Sequence, residues 1–192
     1  QQTTIGTGEH LKSPSMEKIH DYFNRRYVPN NMAIILAGDL DPDKTIEMID
    51  EHFGKMESKP VEEITMPTEE PITEPVIADV MGSEAEFEMV SFRLGGVHTK
   101  DAIYAELLDG ILSNGNAGLI DLNLNQQQKV LRAYSSPSIN EDYSWFMLTG
   151  YARNGQKLEE VRDLLLAQLD SVKNGNFEDW MIDAVVRSKK KD

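Results

Sequence analysis

Hydrophobic positions along the chain follow two spacings, and the spacing changes at residues that end helices or strands. Met16, Ile19, Phe23 and Tyr27 keep near-helical intervals after Ser13-Pro14-Ser15, which predicts a helix stopping at about Tyr27, because Pro29 biases Val28 toward extended backbone. Asn30-Asn31 supplies a turn. Met32–Ala37 is then a continuous apolar run, long enough for a strand buried on both faces and too short for an independent helix. Gly38-Asp39 ends it, Asp41 is placed to cap a helix with Pro42 at its first position, and Ile46, Ile49 and Phe53 give that helix one apolar stripe closed by Gly54.

The character changes from Lys55 to Pro75, where Pro60, Pro67, Pro71 and Pro75 punctuate a run carrying Glu57, Glu62, Glu63, Glu69, Glu70 and Glu74. Regular proline blocks helix and like charges favour an extended path, so this stretch reads as a linker or strap between two bodies. An acidic patch recruiting a basic peptide is its functional alternative. Beyond it, Val76–Met81 and Phe87–Leu94 are candidate strands. Thr99 can cap a helix whose apolar face is Ile103, Leu107, Leu108, Ile111 and Leu112, broken by Asn114-Gly115-Asn116. A shorter helix, Leu119–Gln128, ends in Asn123, Asn125 and Gln126 to Gln128, which read as a solvated helix end. Strands at Val130–Ser135 and Tyr143–Ala152 precede a helix striped by Leu158, Val161, Leu165, Leu169 and Val172. Asn176 and Asp179 resemble a capping box for a last helix with Phe177, Trp180, Met181, Ala184 and Val185 on its apolar face. Met32–Phe53 and Trp145–Val172 share one order, apolar strand, glycine, turn and amphipathic helix, with Gly150 in the place of Gly38, which suggests duplicated units.

Composition narrows the partners. With 19 Lys+Arg against 33 Asp+Glu the net charge is −14, which repels phosphate and anionic lipid, so neither nucleic acid nor membrane is expected as a partner. The absence of cysteine excludes disulfides, thiolate metal sites and a thiol nucleophile. Gln1-Gln2-Thr3-Thr4 within the polar loop of residues 1–12 has no signal-peptide pattern, and Val185-Val186-Arg187-Ser188 reads as a helix still running. The expectation is an excised piece of something longer.

The order Gly6-Thr7, Phe23-x-x-x-Tyr27-x-Pro29-Asn30-Asn31-Met32, apolar strand, Gly38-Asp39-x-Asp41 resembles the second half of the first domain of the pitrilysin/insulinase zinc metallopeptidases, which include the mitochondrial processing peptidases. The remainder resembles the start of that family's second, homologous domain. The resemblance implies an α+β fold with a sheet packed against helices on one side, in duplicated metallohydrolase-type domains of which the first is incomplete. Residues 1–54 would be the carboxy-terminal part of the first domain, 55–75 the linker and 76–192 the second domain.

It also implies a parent that uses zinc through an H-x-x-E-H motif, two histidines four apart sharing one helix face. None of His10, His20, His52 and His98 has that spacing: Met48 stands where the motif ending at His52 needs its first histidine, and Gly6 stands there for His10. His20 beside Glu17 and Asp21 reads as a helix-surface pair. No catalytic or metal-binding residue is therefore expected here, and zinc belongs to the parent alone. Some family members bind substrate through an arginine and a tyrosine; Arg132 and Tyr134 lie in a similar region, but their spacing departs from that pattern and Asn123 and Asn125 replace the arginine expected before the turn, so the substrate-binding residues are unknown.

The resulting reading is a non-catalytic interior fragment of a zinc metalloendopeptidase that hydrolyses peptides in a chamber between its halves. A scaffold or peptide-binding subunit of the same fold is one alternative, and an unrelated α+β interaction domain another. Expected partners are the remaining domains of its own chain and, for the parent, peptide substrates. The apolar strand at Met32–Ala37 would self-associate or pair with the chain's second half. A periplasmic or cell-envelope location is favoured over a cytoplasmic one.

Overall fold

The computed structural model describes residues 6–63 and 68–191. Residues 1–5 of the expected amino-terminal loop, 64–67 of the expected linker with Pro67, and Asp192 lie outside the described residues. The chain divides into two units, residues 1–68 and 69–192.

In the first unit α1 (Gly8–Lys12) occupies part of the expected loop, its turn carrying a Glu9–Lys12 ion pair at 2.8 Å. α2 (Met16–Arg26) begins where the Ser15 hydroxyl accepts the Lys18 amide at 3.3 Å. It ends at Tyr27, whose amide returns to the Phe23 carbonyl before the extended Val28 that Pro29 requires. A 3₁₀ turn, Pro29–Asn31, follows. α3 (Pro42–Phe53) is capped as its residues demand, the Asp41 carboxylate accepting the Lys44 amide at 3.3 Å.

Two expectations fail in this unit. Met32–Ala37 forms no strand, because no described segment offers it a hydrogen-bonding neighbour; Ile35 is 88% exposed. The apolar stripes of α2 and α3 are also uncovered, and Val28 is the one buried side chain among the unit's described residues.

The second unit is built on an antiparallel sheet of β1 (Phe87–Gly95), β2 (Arg132–Ser138) and β3 (Tyr143–Tyr151) in the order β1-β3-β2. Period-two alternation sends Ser144, Phe146, Leu148 and Gly150 of β3 to one face. There α4 (Lys100–Leu112) and α5 (Leu158–Lys173) cover the strands and α6 (Trp180–Lys189) packs on α4. Leu112, Ile120, Leu124, Leu148, Val161 and Leu165 are the fully buried centre. This is the α+β architecture expected, with helices on one side of the sheet. Gly150 is needed for the close approach of α5, since a Cβ there would lie 2.5 Å from Val161 Cγ1. Gly38, its counterpart in the internal echo, has nothing within 4 Å, so the two glycines do different work.

Val76–Met81 forms no strand either, and Met81 is 98% exposed. Thr99 starts α4 but caps it differently from expectation: its hydroxyl donates to the Gly96 carbonyl at 2.8 Å. The buried face of α4 is Ala102, Ala105, Ile111 and Leu112, leaving Ile103 exposed. Asp179 begins α6 without a side-chain cap, Met181 and Val185 are its buried residues, and Trp180 and Ala184 lie outside. The expected Leu119–Gln128 helix is one helical turn widening into a π turn, Asp121–Asn125, with i to i+5 bonds from Gln126 to Asp121 and from Lys129 to Leu124.

The stretch expected to be a linker is held at Lys59, Glu62 and Glu69. The Asn30 side chain exchanges two hydrogen bonds with the Lys59 backbone, and Arg26 donates to the Glu62 carbonyl at 2.6 Å. In the second unit the Glu69 amide donates to Tyr143 Oη at 3.0 Å.

Candidate functional site

Among the described residues no helix covers the sheet face opposite α4 and α5; Glu69 and Glu70 are bonded at its Arg93–Tyr143 end, Thr149 at its centre is buried, and the strand register lays out what the face displays. Phe87, Tyr151 and Arg132 lie side by side across the three strands, followed by Met89, Thr149 and Tyr134, then Ser91, Met147 and Ser136, then Arg93, Trp145 and Ser138. Phe87, Met89 and Trp145 are 40%, 50% and 41% exposed. At one end the Phe87 and Tyr151 rings lie 5.4 Å apart and the Arg132 guanidinium sits 5.1 Å from the Tyr134 ring. The neighbouring Tyr134 phenol, then burial, raise the proton affinity of Tyr151, so the Tyr151 phenol stays neutral at physiological pH. At the other end Arg93 lies 5.3 Å from the Tyr143 ring and pairs with Glu69 at 3.8 Å. Arg132 has no carboxylate partner among the described residues. Such a face offers apolar and aromatic surface with a guanidinium group against a tyrosine ring at each end.

Among the described residues the four histidines are scattered. His52 is in the last turn of α3 with exposed Met48 one turn before it, and His10 is on α1. His20 Nδ1 lies 3.0 Å from Asn24 Nδ2, and His98 Nε2 lies 3.0 Å from Glu141 Oε1 with both side chains exposed. Among the described residues no three His, Cys, Asp or Glu side chains gather as a metal-binding group. The described residues therefore offer no donor set that fits zinc. Ser135 donates to Asp109 Oδ1 at 2.6 Å, but this pair points into the helical side of the sheet.

Several polar side chains that read as solvated are structural. Asn125 exchanges two hydrogen bonds with the Ala133 backbone, at 2.8 and 2.7 Å, standing in for a strand neighbour. Asn123 donates to Gln168 Oε1 at 2.9 Å. Buried Asp121 accepts amides of Asn114, Gly115 and Gly118 through Oδ2 and holds the Asn114-Gly115-Asn116 loop. An aspartate following N-G-N closely was the one local signal of this; the partners of Asn123 and Asn125 lie too far along the chain to be read from spacing.

Known proteins share this fold. The model of the peptidase M16 inactive domain matches residues 14–189, running through both units and the linker. Zinc protease PqqE of Helicobacter pylori is 21% identical over 197 residues, covering 99% of this chain and 44% of that protein. A zinc protease of Mycobacterium leprae is 36% identical over 50 residues, 26% of this chain and 11% of that protein. A protease structure from Helicobacter pylori superposes with a TM-score of 0.76 at 19% identity, covering 97% of this chain and 46% of its own. The periplasmic protease PqqL of Escherichia coli superposes at 0.65 and 17% identity, over 96% of this chain and 21% of its own. The chain thus spans less than half the length of these relatives. The match across residues 14–189 places it in a family: the chain belongs to the M16 peptidases, the pitrilysin/insulinase group of zinc metallopeptidases.

Proposed function

We propose that this chain is a non-catalytic interior portion of a zinc-dependent metalloendopeptidase, and that the sheet face of its second unit opposite α4 and α5 is a wall of the chamber in which the parent holds peptides. The observation that carries this reading is the face that presents Phe87, Met89, Trp145, Met147, Tyr134 and Tyr151, with the Arg132 guanidinium against the Tyr134 ring at one end and without a carboxylate partner among the described residues. A peptide lying along it would bury apolar side chains and present carbonyls or a carboxylate to Arg132. The metal and general base would come from other parts of the parent. On this reading residues 1–54 end a first α+β domain, 55–75 link, and 76–192 belong to a homologous second domain. The parent's remaining domains would then cover the apolar residues exposed on α2, α3 and Met32–Ala37. The name of PqqL supports a periplasmic location for the parent.

The test is a peptidase assay of the full-length parent with and without zinc, and with Trp145→Glu. Zinc-dependent hydrolysis is expected, with KM raised about tenfold by the substitution, roughly 1.4 kcal/mol of lost binding, and an unchanged circular dichroism spectrum. A zinc-loaded parent that hydrolyses nothing would instead support a scaffold or peptide-binding subunit. An unchanged KM for Trp145→Glu would remove the sheet face from the chamber.

A further inference from the structure

The free edge of β1 carries an inference of its own. The Ala152 amide donates to the Glu86 carbonyl at 3.1 Å, and backbone groups of an antiparallel pair alternate sides. Glu88, Val90, Phe92 and Leu94 therefore bond to β3, while Phe87, Met89, Ser91 and Arg93 turn their amides and carbonyls outward. Gly95 obeys the same alternation, its amide donating to Asp101 Oδ2 at 3.0 Å. The outward backbone groups of Phe87, Met89, Ser91 and Arg93 have no partner among the described residues. The opposite edge of the sheet is already blocked, since Asn125 occupies the Ala133 backbone and Pro137 has no amide to donate.

One segment is tethered at both ends of that open edge. Glu69 and Glu70 are held at the Arg93 end, by the Tyr143 hydroxyl and by the Arg93 guanidinium, which pairs with the Glu69 carboxylate and donates to the Glu70 carbonyl. Glu86 is held at the Phe87 end through Ala152. Between the tethers, past Pro71 and Pro75, runs the proline-free Val76–Met81 with β-branched Val76, Ile77 and Val80, which are 89%, 81% and 89% exposed. Travelling back along β1 from Arg93 to Phe87 takes about 20 Å, well within the reach of residues 71–85. Gly82–Glu86 is a suitable hairpin loop. Carboxylates of this segment already lie near β1 and β3. Burial first, and Asp79 among the neighbouring charges, raise the proton affinity of Glu88 on β1, while Glu84 lies near enough to add to the raised proton affinity that Tyr134 chiefly gives Tyr151.

We propose that residues 76–81 are a strap, open in this structure, that closes antiparallel on the free edge of β1 and shields it from pairing with other chains. Closure would complete backbone bonds that an exposed edge otherwise offers to any extended peptide.

The test is residue-resolved amide exchange on the full chain at low concentration, compared with a variant in which residues 76–81 are replaced by Gly and Ser at unchanged length. The strap predicts alternating protection within 76–81 and slow exchange at Met89 and Ser91. The replacement should speed Met89 and Ser91 by tenfold or more and leave Val90 and Phe92, bonded to β3, as they were. Arg93→Ala, which removes one tether, should give the same pattern more weakly. Exchange of 76–81 at unfolded-chain rates in the unaltered protein would overturn the proposal, as would protection of Met89 and Ser91 that survives the replacement.

Discussion

Asp109 is the side chain whose surroundings most directly couple this fold to pH. Burial raises its proton affinity above the ordinary carboxylate range, the Ser135 hydrogen bond and Lys189 oppose that, and Asp121 and Glu106 add to it. For a carboxylate with a raised folded-state pKa, the stabilising contribution is complete below the unfolded value and lost as pH rises through the folded one. Asp109→Asn should therefore raise the melting temperature at pH 7, and the gain should shrink as pH falls toward 4. Thermal melts across that range check the sign. Asp121 is the opposite case, a buried acceptor for three backbone amides. Asp121→Ala leaves those donors without their partner and should cost about 3 kcal/mol in denaturant unfolding. Gly150→Ala forces a Cβ to within 2.5 Å of Val161 Cγ1 and should cost about 1–3 kcal/mol.

At the scale of elements, the asparagine that mimics a strand neighbour is the informative device. Asn125→Ala removes both bonds to Ala133 and should lower stability by about 1–2 kcal/mol, with faster amide exchange at Ala133 than at the rest of β2. Several helix limits were legible in the sequence because the controlling residue was local, though α1 and the caps at Thr99 and Asp179 were not. Ser15, Asp41 and Pro42 start helices, Pro29 stops one, and Gly115, Gly155 and Gly175 take the positive φ that their turns need. Strand formation was legible only in part, because it depends on a neighbour. Phe87–Gly95 and Tyr143–Tyr151 have one, whereas Met32–Ala37 has none among the described residues and Val76–Met81 is unpaired in this structure beside the open edge of β1. The roles of Asn123 and Asn125 were illegible for the same reason. Likewise α4 buries Ala102 and Ala105 rather than Ile103, because which side of a nearly all-apolar helix faces the sheet is set by packing and not by composition.

For the whole molecule, the two units differ in how they are held together. The second contains the hydrophobic core from Ala105 to Val185, while among the described residues of the first only Val28 is buried. A unit with so little burial cannot offset its chain entropy alone, which is why covering domains in the parent are part of the proposed function. In their absence Met32–Ala37 should drive association. Light scattering is expected to report species larger than a monomer, and a monomer with rapid amide exchange across Met32–Ala37 would count against it. On the proposed function the exposed sheet face and the apolar first unit would both be surfaces of a larger peptidase whose reacting centre is elsewhere. The most direct check is calorimetric titration of zinc into this 192-residue chain. The account predicts no stoichiometric binding, and a tight one-to-one isotherm would contradict it.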